Sequence, residues 1–352
     1  MSPMFNVLLF PLICAMFMAV NMGGSGTSPA FSAAYGANLI RKEAIPGLFG
    51  IFVFLGAIIA GKAVAITVGK DLVPTDYMTI TVSSIVLLSV GLALLFANML
   101  SIPQSTSQAT VFALMGPGIY LDVLQTNKLF IEIIPTWFIL PIISFSIIYV
   151  FGKFIFKPVR KMKFVNKYLK YDYIANHPGL KFFIILGALY VAFSIGSNNV
   201  ANAAGIISSM ILNELQIDGN NSNFVLIMIL STLIIAPCFG IGSSIFGHKV
   251  VTSAGKEIVE FGPLGGLAIS VVSATLLLLA SVTRGIPTSL VQLNTGAILA
   301  LAVVKIGWRK TFKKKIVERF WLIWIISPII AFMLSLLLTI LADGLGILYY
   351  NP

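Results

Sequence analysis

Charge is scarce in this sequence. Asp, Glu, Lys and Arg together fill 10% of its 352 positions, where a soluble domain uses about a quarter. No stretch is left over for a sizeable soluble domain. Histidine and cysteine are rarer still, two of each. Without a Cys/His/Asp cluster there is no basis for a transition-metal site, and no cofactor is expected. Cys14 and Cys238 both lie in apolar runs and read as buried small hydrophobes, so no disulfide is inferred. No nucleophile–base pair and no His-based motif lies in the apolar runs, which argues against an intramembrane enzyme and leaves no catalytic residue to name.

What fills the chain instead is hydrophobic side chains, 58% of all residues. Apolar runs of bilayer-spanning length recur, as at 46–69, 77–100, 129–151, 224–247, 264–283 and 320–342. A hydrocarbon core of about 30 Å needs ~20 apolar residues per helix, so each run can span. The segment Met1 to Pro11 lacks a basic region before its apolar run and reads as a first transmembrane segment rather than a signal peptide. The expectation is an all-α polytopic protein of the cell membrane, the inner membrane where there are two.

The net charge of +11 does not point to nucleic acid, because it is concentrated in short loops between spans. Lys153, Lys157, Arg160, Lys161, Lys163, Lys167, Lys170 and Lys181 form one basic loop. Lys305, Arg309, Lys310, Lys313, Lys314, Lys315 and Arg319 form another. Both are expected in the cytoplasm by the positive-inside rule, as topology determinants and contacts to anionic lipid. The weakly basic segments with Arg41 and Lys42, and with His248, Lys249 and Lys256, join them. The segment with Glu214 and Asp218, free of Lys and Arg, belongs outside.

Three pairs of segments match in the same order. Asn21-Met-Gly23-Gly-Ser25-Gly26 aligns with Ser194-Ile-Gly196-Ser-Asn198-Asn199. Pro103-Gln-Ser105-Thr106-Ser107-Gln108 aligns with Pro287-Thr288-Ser289-Leu-Val-Gln292, and Trp137 to Phe145 with Trp324 to Phe332. The offset grows from pair to pair, as small loop insertions produce. Residues 1–152 are therefore expected to form a first inverted repeat, 153–181 a basic cytoplasmic linker and 182–352 a second inverted repeat. Each repeat would hold a broken helix (4–40 and 182–211) and a re-entrant helical hairpin (77–120 and 264–304). Inverted repeats with Gly/Pro-interrupted segments in matching positions mark secondary transporters, with substrate bound between the repeats.

The interrupted segments have the chemistry of an oxyanion site. Gly23 to Pro29 resists a continuous helix, and Pro29 suits the start of a second half-helix. Hydroxyls at Ser105, Thr106, Ser107, Thr288 and Ser289 can cap helix starts, whose free N–H groups and positive dipole end attract anions. The candidate substrate-binding set is Asn21, Ser25, Ser105, Thr106, Ser107, Asn198, Asn199, Asn202, Thr288, Ser289 and Arg284, with Gln108 and Gln292 in support. Helix packing is the competing explanation for any single small polar residue. Arg284 is included because an intramembrane Arg is costly. Lys62 and Glu132 sit nearer span ends, where they can snorkel.

At Gly196-Ser-Asn198-Asn199-Val200-Ala201-Asn202-Ala203 and Pro103-Gln-Ser105-Thr106-Ser107-Gln108, the sequence resembles the inorganic phosphate transporter (PiT) family. That resemblance implies its two-repeat fold, with an oxyanion held between hairpin tips and broken helices. The family's motif Asp falls on Gly26 in one repeat and on Asn199 in the other, so both carboxylates are gone. This form is similar to the sulfate-permease (CysP-type) branch. Sulfate is fully deprotonated and needs only donors, whereas phosphate keeps an O–H near neutral pH and can use an acceptor. The expected substrate is sulfate, with phosphate second and thiosulfate behind. Import of a dianion against an inside-negative potential needs coupling; a proton is expected, with sodium as the alternative. A homodimer and an anion channel stay open.

Overall fold

The computed structural model describes residues 3–100, 104–156, 177–247 and 262–348, and these are helical with no strand among them. In a medium without water each backbone N–H and C=O must be satisfied within its own segment, which helices achieve. The first half comprises α1 (Pro3–Gly36), α2 (Ile45–Ala60) and α3 (Lys62–Ile66), the last running into a π turn at Thr67–Asp71. It continues with α4 (Ile80–Met99), α5 (Thr106–Tyr120) and α6 (Ile134–Phe151). The second half comprises α7 (Pro178–Ile195), a π turn at Gly196–Val200, α8 (Ala201–Glu214) and α9 (Asn221–Gly242). It ends with α10 (Gly262–Leu279), α11 (Leu290–Ile306), the short α12 (Trp308–Phe312) and α13 (Lys315–Gly344). Among the described residues, 8 helical segments are long and apolar enough to cross a membrane. Most of the basic linker, together with His248, Lys249 and Lys256, lies outside the described residues.

Helix order and packing repeat between the halves. α1 packs on α4, and α7 packs on α10. α2 packs on α7 and its π turn, and α9 packs on α1. The last helix of each half crosses over: α6 lies against α11, and α13 against α5. Both hairpins exist as helix–tip–helix units, α4–α5 and α10–α11. Their second legs, of 15 and 17 residues, are only about 22–26 Å long at 1.5 Å per residue. That is short of a hydrocarbon core of about 30 Å.

The expected helix breaks take a different form. α1 runs unbroken through Gly23, Gly24, Gly26 and Pro29. In the second half the path stays helical too, widened into a π turn at Gly196–Val200. The physical reason lies in neighbouring helices. A Cβ on Gly23 would stand 2.3 Å from the Phe239 carbonyl oxygen, and one on Gly242 would stand 1.8 Å from that of Val20. In the other half, Gly196 meets the Val53 carbonyl at 1.9 Å, and Gly56 meets that of Phe193 at 1.9 Å. These glycines allow two matched backbone-to-backbone crossings, α1 with α9 and α7 with α2. The packing of those crossings keeps the helix formed despite its poor local propensity. Only the hydrogen-bond ladder is interrupted, since Pro29 has no N–H to return to the Ser25 carbonyl.

Gly56→Val and Gly242→Val should each destabilise the protein by about 1–3 kcal/mol or more, the usual cost of overpacking. Gly219→Val, where nothing lies within 4 Å, should not. Thermal melting of the purified protein in detergent checks the contrast.

Candidate functional site

The two hairpin tips are capped in the same way. Ser105 accepts from the Gln108 N–H at 3.2 Å, and Ser289 from the Gln292 N–H at 3.3 Å. Ser-x-x-Gln has the spacing of a capping box, in which the Gln side chain would turn back to its own helix start. Here both side chains reach across instead. Gln108 Nε2 donates to Gln292 Oε1 at 3.2 Å, and Gln292 Nε2 donates to Gln108 Oε1 at 2.9 Å. This reciprocal pair joins the starts of α5 and α11, residues related by the internal repeat. The crossed-over α6 fixes the second hairpin further: Trp137 Nε1 donates to the Pro287 carbonyl at 2.8 Å, and Ser144 Oγ to that of Leu293 at 2.9 Å.

A Ser–Asn brace ties each half's long helix to its own hairpin leg, with the partners exchanged between halves. In the first half, Ser25 on α1 donates to Asn98 Oδ1 on α4 at 2.9 Å. In the second, Asn198 Nδ2 on the π turn donates to Ser281 Oγ, past the end of α10, at 2.8 Å. Backbone carbonyls settle both amide orientations. Asn98 Nδ2 donates to the Asn21 carbonyl at 2.9 Å and to Asn21 Oδ1 at 3.2 Å, and Asn198 Nδ2 also donates to the Ile286 carbonyl at 3.1 Å. Asn198 Oδ1 then accepts from Ser107 Oγ at 2.9 Å and from the Thr288 N–H at 3.2 Å, so one side chain holds both tips. Asn202 Nδ2 donates to Ser107 Oγ at 3.0 Å.

A small cavity opens where these elements meet. It is lined by Ser25, Gly26 and Pro29 of α1, Gln104 and Thr106 of the first tip, Ile195 and Asn199 of the second half's helix, and Ser289, Leu290 and Val291 of the second tip. All four repeat-related segments contribute. The space takes little more than one water-sized sphere. Among the described residues, no charged side chain lines it. The Ser25 proton is committed to Asn98, so Ser25 offers only lone pairs to the cavity. Ser289, which accepts from a backbone N–H, keeps its own proton free to donate. Asn199 Oδ1 is buried without a partner among the described residues.

Of the residues expected at the site, the structure places Ser25, Thr106, Asn199 and Ser289 on the cavity wall. Asn21, Ser107, Asn198, Asn202 and Thr288 are buried behind it in the braces, and Ser105 serves as a helix cap. Gln108 and Gln292 form the clasp. Arg284 is not brought to the cavity: it is exposed at the end of a π turn, Ala280–Arg284. That wide turn shifts the angular register, and the next residue, Gly285 at φ 60, reverses the chain against α3, where a Cβ would stand 2.6 Å from the Ala63 carbonyl oxygen. Asn98, Gln104 and Ser281 were missed. Asn98 carried a signal, a lone amide at the end of an apolar run. Gln104 sat inside the quoted hairpin motif. Ser281 carried none.

The profile of a family described as "Phosphate transporter family" matches residues 22–335. A "Sulfate permease CysP" of Bacillus subtilis (strain 168) is 30% identical over 332 residues, covering 94% of this chain and 86% of that protein. A "Probable low-affinity inorganic phosphate transporter" of the same organism is 26% identical over 300 residues, covering 82% and 84%. Among solved structures, "The sodium-dependent phosphate transporter" superposes with a TM-score of 0.81 at 20% identity, over 96% of this chain and 99% of that one. This last likeness is one of fold.

Asn198→Ala should orphan the buried Thr288 N–H and loosen both tips, at about 1–3 kcal/mol for each buried group left unpaired. Asn199→Ala, whose Oδ1 has no partner to lose, should leave stability near that of the parent protein. Melting curves of the two variants give the comparison.

Proposed function

The chain belongs to the phosphate transporter family, and from that premise we propose that it imports an inorganic oxyanion, sulfate first, by cation symport. The two halves would lie in the membrane with opposite orientation, the main basic loops in the cytoplasm, and expose the cavity to each side in turn. The protein is a multi-pass membrane transporter and not an enzyme.

One observation carries the choice of sulfate. Gly26 and Asn199, where the PiT motif carries its acids, both line the cavity, and no carboxylate replaces them there. A carboxylate beside a fully deprotonated anion repels it, and a cavity without one does not. The starts of α5 and α11 meet at this point and bring two positive dipole ends to it. The relationship to the sulfate permease of Bacillus subtilis supports the same reading.

Phosphate is the second reading, favoured by the Ser25 lone pairs and the unpartnered Asn199 Oδ1, which can accept from a phosphate O–H. For the coupling ion a proton comes first. Sodium is the alternative, since those same neutral oxygens suit it. The cavity as it stands is too small for a tetrahedral oxyanion, so the tips and the long helices must separate for the anion to pass. A channel would conduct without moving substrate uphill.

Radiolabelled sulfate uptake into proteoliposomes should saturate, rise with an inward proton gradient and resist excess phosphate. Accumulation of phosphate without sulfate would overturn the sulfate reading. Removal of a donor that faces the cavity, Ser289→Ala, should lower uptake several-fold, at a loss of about 1 kcal/mol for the helix cap that melting curves measure. Asn199→Asp should cut sulfate uptake by roughly ten-fold or more, as a charge facing the anion is introduced.

A further inference from the structure

We infer that Gln104 is an anion-binding residue of the cavity and that Ser327 is the residue that positions it. This rests on the transport reading above and adds to it a donor that the repeat pattern does not supply.

Gln104 is 1% exposed and lines the cavity beside Thr106 and Ser289. Its Oε1 accepts a hydrogen bond from the hydroxyl of Ser327, which is 3% exposed on α13, a helix of the opposite half. A serine that donates to the amide oxygen turns the amide nitrogen away from α13. That nitrogen, Nε2, is fully buried and has no partner among the described residues. A buried N–H2 group without an acceptor is destabilising, and one on a cavity wall is open to a ligand that completes it. Asn199 Oδ1, an acceptor on the same cavity, is itself without a partner among the described residues, so the two do not bond each other. An oxygen of a tetrahedral anion seated against the first tip would take up the Gln104 donor. The start of α5, two residues along, adds its positive dipole end on the same side.

The second half offers no equivalent. Thr288 stands at the position matched to Gln104, and its backbone N–H is already given to Asn198 Oδ1 at 3.2 Å. The first tip thus adds the Gln104 amide to the hydroxyl that Ser289 offers from the second. Sulfate and phosphate share the acceptor chemistry that Gln104 recognises, so it sets affinity for tetrahedral oxyanions and not the choice between them.

The test is equilibrium binding of radiolabelled sulfate, and separately of phosphate, to the purified protein in detergent, alongside uptake. Gln104→Met keeps the length of the side chain and removes the donor. It should raise the Kd for whichever anion the parent protein binds by roughly ten-fold or more, as expected for loss of a hydrogen bond to a charged group. Gln104→Glu should abolish binding. Ser327→Ala should raise Kd a few-fold with maximal uptake little changed, and Ser327→Thr, which keeps the hydroxyl, should restore it. Folding is followed by melting; should Gln104→Met fail to fold, the Ser327 pair decides. An unchanged Kd in a folded Gln104→Met protein, or parent-like binding by Gln104→Glu, would overturn the inference while leaving transport intact. If the parent protein bound neither anion, the transport reading would fall and this one with it.

Discussion

Inside a bilayer a buried amide or hydroxyl has no water to turn to, so it must find its partner in the protein. Most of the centre of this molecule follows from that requirement. The hairpin legs α5 and α11 start within the protein, and each start is closed by a serine that caps it and by a glutamine that reaches to its counterpart. The bend that leads into α11 is held on one side by Trp137 and on the other by Asn198. Among the buried polar atoms without a partner in the described residues, Gln104 Nε2 and Asn199 Oδ1 belong to residues that line the cavity.

The repeat shapes this centre without making it symmetric. The glycine crossings correspond closely between the halves, because backbone contact tolerates only one residue type. The polar braces correspond in function but exchange residues: serine with asparagine in one half, asparagine with serine in the other. A hydrogen bond needs one long partner and one short one, and it does not matter which helix supplies which. The exchange has a chemical consequence, since it leaves Ser25 on the cavity wall and buries Asn198 behind it. Two halves of similar fold thus present different groups to the same space.

A cavity lined with no charge suits the transit of a charged ion. A fixed countercharge would bind an anion tightly and slow its release, and a fixed like charge would exclude it. In the function proposed above, donors from hydroxyls, amides and helix starts would hold an anion by several weak contacts, each breakable if the tips separate. On the sulfate reading proposed above, the membrane potential opposes the dianion by about 2.3 kcal/mol per charge per 100 mV, and a coupled cation would share the passage. The neutral oxygens of Ser25 and Asn199 are where it would find acceptors.

Much of this was legible in the residues alone. Apolar runs of spanning length determine helices, because nothing else satisfies the backbone in hydrocarbon. Matched Pro-x-Ser segments mark two hairpin tips, and Ser105 and Ser289 are caps because their spacing to a following N–H is local. Gly26 and Asn199, the positions where the resemblance places the family's motif Asp, line the cavity. What sequence could not decide was which polar groups face inward and which bind one another. Asn198 and Asn199 are adjacent and chemically identical, yet one is spent on four hydrogen bonds across two hairpins and the other is left to the cavity. Arg284 was drawn to the site by position along the chain and turned out of it by a π turn. The glycines of α1, which read as a break, proved to be a crossing, because a neighbouring backbone and not local propensity set the outcome. Local chemistry is written in the order of residues. The partners of a polar group come from elements far apart in that order, and only the packed tertiary structure selects them.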